Sequence, residues 1–299
     1  MDEATACGSA VAARLSPGAV MRRGAAILTV IAATALTVGC ATRDEAKAYQ
    51  EYSEFMTKAG RFRQERAPVD APFGPSDLVR NFKKVAFVPE KQLAAFYAKR
   101  QGERRLSKWA RPFTYALLGD GVRETDHLSV DGIMRTLSDR MDLSIERATG
   151  APDLAIFILS ADARRQVAAG EAAKPWYDGS LFEDWVETLN PPCFALFDAS
   201  TPAGGEIRSG AVFLKAEIEN PLRGACLVEE LTQSMGLIFD HEDVRPSIFN
   251  DDQEFISLTE HDEMLLEILY DRRLKPGMTQ EVASPLVKRI VEEKTGARL

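Results

Sequence analysis

Glu229-Glu230-Leu231-Thr232-Gln233-Ser234-Met235-Gly236 is the stretch on which the reading of this chain turns. Glu229 and Gln233 are four residues apart, so on a helix they share a face, with Glu230 one step round. Leu227, Val228, Leu231 and Met235 form the apolar side. Gly236 is placed to end the helix. The spacing predicts a helix over residues 223–237 that presents two carboxylates and a carboxamide together.

Working outward, residues 85–88 read as a short apolar strand and 90–100 as a helix. Residues 113–118, 154–159 and 194–197 read as strands, and 211–216 alternates like a sheet edge. Residues 127–141 are an amphipathic helix, with Leu128, Ile133, Met134 and Leu137 near one face. Residues 164–192, with Trp176, Tyr177 and Trp185, read as a long irregular insertion packed on the sheet. Residues 246–251 form a tight loop. Thr259 and Asp262 make a capping box that starts a helix to about Asp271, with Met264, Leu265, Ile268 and Leu269 inward. Ser284-Pro285 reads as the start of the last helix, which Gly296 stops. The element order is that of an α+β protein.

The amino terminus carries a second signal. Met21-Arg22-Arg23 precedes an apolar run over residues 25–38 and then Gly39-Cys40, the layout of a secretory signal peptide. A buried helix or a plain transmembrane anchor is the plainer alternative, but a run of ~14 residues falls short of the roughly 20 that span a bilayer. The cysteine after the cut points to a lipoprotein with lipid on Cys40. Residues 1–20 then read as an upstream extension, 21–39 as the signal peptide and 40–75 as an anchor-proximal helix (residues 43–66, standing off the membrane) plus a proline-rich linker.

Composition is that of a globular protein, 45% hydrophobic and 27% charged. The formal charge is −8. Residues 1–39 contribute +1 (Arg14, Arg22 and Arg23 against Asp2 and Glu3), which leaves −9 from Cys40 onward. That balance disfavours nucleic acid and anionic lipid surfaces as partners. Beyond Cys7 and Cys40, the cysteines are Cys193 and Cys226. In an exported chain they read as a disulfide, with two free buried thiols as the alternative.

The blocks Cys226-Leu227-Val228-Glu229-Glu230-Leu231-Thr232-Gln233-Ser234-Met235-Gly236-Leu237, residues 247–251 (S-I-F-N-D) and residues 269–278 (L-Y-D-R-R-L-K-P-G-M) occur in that order. Together they resemble a family of Gram-negative envelope lipoproteins of unknown function over roughly residues 77–280. The first block also resembles the H-E-x-x-H-x-x-G helix of metzincin metalloproteases with its ligands replaced. That resemblance implies a zincin-like α+β fold: a mixed sheet with packed helices, an active-site-type helix and a small helical C-terminal subdomain. The zincin-like domain would span 76–280, with a C-terminal helix over 281–299. Glu229 stands where the first zinc-binding His would be, Glu230 at the general base and Gln233 at the second His. Phe239 holds the third-ligand position, with Asp240 and His241 beside it, and Phe249 lies in the loop where a metzincin has its Met.

The chemistry of that set argues against zinc, which takes His, Cys and carboxylate ligands. No cofactor is expected, although oxygen-rich Glu229, Glu230, Asp240, Glu242 and Asp243 could suit a hard cation. Without metal, paired glutamates could raise one pKa and work as acid and base, with Glu230 as the catalytic group. The plainer reading has Glu229, Glu230 and Gln233 hydrogen-bonding to the 247–251 loop, with Asp240, His241, Phe249, Asn250 and Asp251 completing a degenerate binding site. His261, in the first turn of a capped helix, reads as solvent-facing. The expected protein is a lipid-anchored envelope module that binds a protein or cell-wall component without cleaving it. The alternatives are an active hydrolase with a carboxylate-rich metal site, or a scaffold lipoprotein of an envelope complex. It would face the periplasm, with Ala41 leaning toward the outer membrane.

Overall fold

Three apolar runs build the centre of the sheet. Phe113–Leu118 (β2), Leu154–Leu159 (β4) and the second half of Gly204–Lys215 (β6) lie side by side in a computed structural model, which describes residues 39–89, 104–169, 182, 185–201, 204–250 and 252–299. β4 pairs in parallel with β2 on one side and β6 on the other. It is covered on both faces, which is why its sequence is apolar without alternation. Ile145–Arg147 (β3) continues the parallel set beyond β2, and Lys108–Trp109 (β1) pairs with the start of β6. Cys193–Thr201 (β5) is the exception, running antiparallel along β6 at the margin. The six-stranded order is β1-β6-β4-β2-β3, with β5 on β6.

Helices cover this sheet. In chain order they are Gly39–Lys58 (α1), Pro75–Phe87 (α2), Glu124–Met141 (α3), Ala161–Ala169 (α4), Leu222–Gln233 (α5), Glu260–Leu269 (α6) and Gln280–Thr295 (α7). The two faces of the sheet separate by the period of two along each strand. Ile156, Ile158, Val212 and Leu214 join the large core beneath α3, α5 and α6. Leu159, Ala211 and Phe213 turn the other way, onto Phe182 and Trp185. α5 follows β6 directly and packs on β5, β6 and α3, while α2 packs on α6 and α7. The α+β expectation holds as a mixed sheet with helices packed on it. Among the described residues no helix is long and apolar enough to cross a membrane.

Several local readings need correction. Residues 85–88 are not a strand. They close α2, whose Leu78, Phe82, Val85 and Ala86 form a buried helical stripe starting from Pro75 at the first turn. Residues 211–216 are not a sheet edge: β6 is twelve residues long and has β5 along one side and β4 and β1 along the other. The last helix starts at Gln280, because the Thr279 side chain accepts from Val282 N–H; Pro285 therefore sits inside α7. The insertion read over 164–192 begins instead inside α4, and the helix read over 90–100 lies outside the described residues. The helix expected through Arg66 ends at Lys58, with Tyr49 and Met56 buried against the body.

Candidate functional site

α5 carries the candidate side chains, and its position is fixed from several directions. In its first turn Arg223 gives Nε and Nη2 to the two oxygens of Asp126 at 2.7 and 2.6 Å. One turn on, Cys226 is bonded to Cys193 of β5, with 5.9 Å between Cα atoms. At the far end, the Trp109 ring N–H donates to the Ser234 carbonyl at 3.0 Å and the Tyr270 hydroxyl donates to that of Met235 at 2.8 Å. Gly236 then turns the chain at φ +117°; a Cβ there would lie 2.0 Å from the Ser107 carbonyl oxygen, so no other residue fits. The helix therefore ends at Gln233, short of the expected 237.

Glu230 points at the margin of the sheet. The Lys215 N–H donates to the Pro192 carbonyl, so by the alternation of an antiparallel ladder the Ala195 N–H faces away from β6. That N–H bonds to the Glu230 carboxyl. The other carboxyl oxygen, Oε2, is buried with no hydrogen-bond partner among the described residues. Burial first, and then the charge of Asp240, push the Glu230 pKa well above its usual range, against the pull of the Ala195 N–H. Glu230 therefore holds its proton to higher pH than an ordinary glutamate.

Gln233 is turned toward Asp240. Its Nε2 donates to both carboxylate oxygens, at 3.0 and 2.9 Å. A carboxylate accepts and does not donate when ionised, so the amide nitrogen is the atom that faces it. Glu229, half-buried beside Glu230, raises the Tyr52 pKa from α1, adding to the effect of burial on that phenol.

The other expected site residues divide. His241 anchors locally: its ring Nε2 meets the Val88 carbonyl at 2.8 Å and its N–H bonds the Phe249 carbonyl at 3.0 Å. Phe249 is core. The Asn250 side chain donates to the carbonyls of Glu242 and Val244 at 3.2 Å each. The 247–250 loop is held by Asp262, which accepts from Ser247 Oγ at 2.5 Å and Ile248 N–H at 3.2 Å. The bonds of Glu230 and Gln233 described above go to Ala195 and Asp240, and His241, beyond the end of α5, bonds to this loop. Asp251 lies outside the described residues, as do residues 1–38 ahead of Cys40. His261 is not solvent-facing: it is fully buried, 3.0 Å from Asn81 Nδ2 and edge-on to Phe73.

Sequence reading missed Ala195, Tyr52, Trp109 and Tyr270. Ala195 acts through its backbone, which no residue type advertises. The aromatic three carry an apolar body with a polar tip, a common way to reach a buried carbonyl, but sequence does not say which one. A model of a family of proteins of unknown function, DUF2927, matches residues 75–289. The chain belongs to that family. The match runs from the first residue of α2 into α7 and so takes in the whole sheet and α5, while α1 precedes it. No curated protein matches the chain.

Proposed function

We propose that this member of DUF2927 is a lipid-anchored cell-envelope protein whose zincin-like domain binds a protein or cell-wall component without cleaving it. The Gln233–Asp240 clasp carries the reading. At the position where a zincin helix offers its second ligand, this chain has an amide whose donor group is spent on a neighbouring carboxylate, and an N–H₂ donor is no metal ligand. Phe239, at the third-ligand position, is apolar and buried. The donor set does not fit zinc. Among the described residues no group of three or more His, Cys, Asp or Glu side chains is placed to hold a metal ion.

What the site offers instead is hydrogen bonding. Among the described residues β5 pairs on one side only, and the Glu230 carboxyl stands at its other side on the Ala195 N–H. An extended segment lying along that margin would find backbone groups and the Glu230 carboxyl. Attachment through Cys40 would keep this margin at the membrane surface, and the acidic balance makes nucleic acid a poor partner.

The second reading, a hydrolase, is favoured by one observation: a glutamate whose pKa is pushed up by burial is suited to act as a general acid. One experiment separates the two. Protein purified from membranes is incubated with unfolded casein and with muropeptides, and cleavage and binding are both read. The binding reading expects intact substrates, retention of one probe, and loss of palmitate labelling in Cys40→Ala. Cleavage that disappears in Glu230→Gln would overturn it in favour of the hydrolase.

A further inference from the structure

A second polar cluster lies away from Glu230, at the C-terminal ends of β4 and β6. Lys215, the last residue of β6, is fully buried, and Arg164 of α4 is 1% exposed. Glu45 of α1 reaches both: Oε2 is 2.6 Å from Arg164 Nη2 and Oε1 is 3.0 Å from Lys215 Nζ. Glu217 accepts from Arg164 Nη1 at 2.5 Å, the Leu159 carbonyl accepts from the same nitrogen at 3.0 Å, and the Thr188 carbonyl accepts from Lys215. The Trp185 ring forms the floor, 5.5 Å from each cation. Arg164 Nε is buried without a hydrogen-bond partner among the described residues. Two cations over an aromatic plane, with a donor to spare, make a carboxylate pocket.

The carboxylate that fills it comes from a weakly held element. Among the described residues, α1 makes no backbone hydrogen bond to the rest of the molecule; the first are Phe62 N–H to the Gln253 carbonyl and Arg63 N–H to that of Glu254. Gly60, at φ +74° with open space around it, separates the helix from that fixed point. Over residues 44–58 of α1, whose burial is described, Tyr49 and Met56 alone are buried, while Phe55 is 67% exposed. Tyr49 donates to the Leu189 carbonyl, and Tyr52 donates to Gln253 Oε1 at 2.8 Å. A helix with so little apolar burial depends on its polar contacts for docking. Its Tyr52 lies within the electrostatic reach of Glu229, so the docked helix passes beside the α5 site.

We propose that Arg164, Lys215 and Trp185 form a carboxylate-recognition site that Glu45 occupies in cis, and that α1 is a releasable strap which yields to an acidic peptide presenting a carboxylate there. Release of Glu45 would leave buried Lys215 without its carboxylate and Arg164 with Glu217 alone, which is costly, so the strap exchanges with another carboxylate and does not simply open. The pocket stands on its own contacts, and its failure would leave the reading of Glu230 untouched.

The test is amide hydrogen exchange on the full chain, with synthetic peptides of residues 41–58 as probes. Glu45→Gln is expected to speed exchange in residues 44–58 at least tenfold while β4 and β6 stay protected. The wild-type peptide should restore protection of the pocket segments, and the same peptide carrying Glu45→Gln should bind at least tenfold more weakly. Exchange that rises together in α1 and the sheet would make Glu45 an ordinary structural ion pair and overturn the proposal. So would equal binding, or no binding, by both peptides. Should the variant not fold, excess peptide is added to the wild-type chain: displacement of α1 by the Glu45 peptide alone is expected, and no displacement overturns the proposal.

Discussion

The two ends of α5 bury charge in opposite ways. At the start, Arg223 and Asp126 are each about 3% exposed and fully engaged: two bonds between them, a third from the Arg123 N–H to Asp126, and a fourth from Arg223 to the Gly121 carbonyl. Burial pushes Asp126 up, but the arginine and the N–H outweigh it, and its pKa falls below the usual value. Two turns later Glu230 is also buried, has one N–H and an oxygen without a hydrogen-bond partner among the described residues, and is pushed up. One end of the helix is satisfied and the other is held short of satisfaction. Structural ion pairs look like the first; unfilled polar valence at a cleft is what a binding or chemical site looks like.

Breaking the paired end should have the largest effect. Asp126→Asn leaves Arg223 buried without its counter-charge, and denaturant titration should show a loss of about 3–5 kcal/mol. A loss below 1 kcal/mol would mean that water reaches Arg223 and that the two ends are less different than described. In the middle of the helix, replacing Cys193 and Cys226 by Ala removes a link across 33 residues. The expected loss is ~3–4 kcal/mol, visible also as a fall in Tm when wild type is reduced.

The smallest effect has the opposite sign. Glu230→Gln keeps the shape and removes the titration, so it should be more stable than wild type at neutral pH. Below the ordinary glutamate value of 4.5 both folded and unfolded chains hold the proton, and the substitution is close to neutral. As pH rises from there toward the raised folded pKa, the unfolded chain releases its proton and the folded one does not. Wild type then loses up to about 1.4 kcal/mol per pH unit across that window, and the variant does not. Melting curves at pH 4 and pH 8 measure the difference; equal gains at both would remove the unpaired acid from the account.

Legibility in the sequence followed how local the cause was. β4 could be read because an uninterrupted apolar run says that both faces are covered. Thr259 and Asp262 could be read because the capping box closes within four residues, and Thr259 does accept from the Asp262 N–H. α2 was misread because a four-residue window at 85–88 hid a stripe that began at Leu78. β6 was cut short because its first half, with Glu206, Arg208 and Ser209, is polar, and only its two neighbours show that it continues. His261 went wrong because Asn81 and Phe73, some 180 residues earlier, bury it. At the site, Glu230 could be singled out from its spacing on α5, but its one backbone partner could not. The Gln233–Asp240 contact crosses the Gly236 turn, and its geometry belongs to that turn and not to either residue.

The central proposal is that α5 has the frame of a metal-binding helix without a metal site. It is tested most directly by zinc content, read by mass spectrometry on wild type and on the double variant Glu229→His, Gln233→His, both purified without chelator or metal-affinity tag. The account predicts less than about a tenth of an equivalent in wild type and about one equivalent in the folded variant, where two imidazoles at i and i+4 would join Asp240 in a three-ligand set. One equivalent of metal in wild type, lost in Glu229→Ala, would contradict the claim, and so would a folded double variant that takes up no zinc.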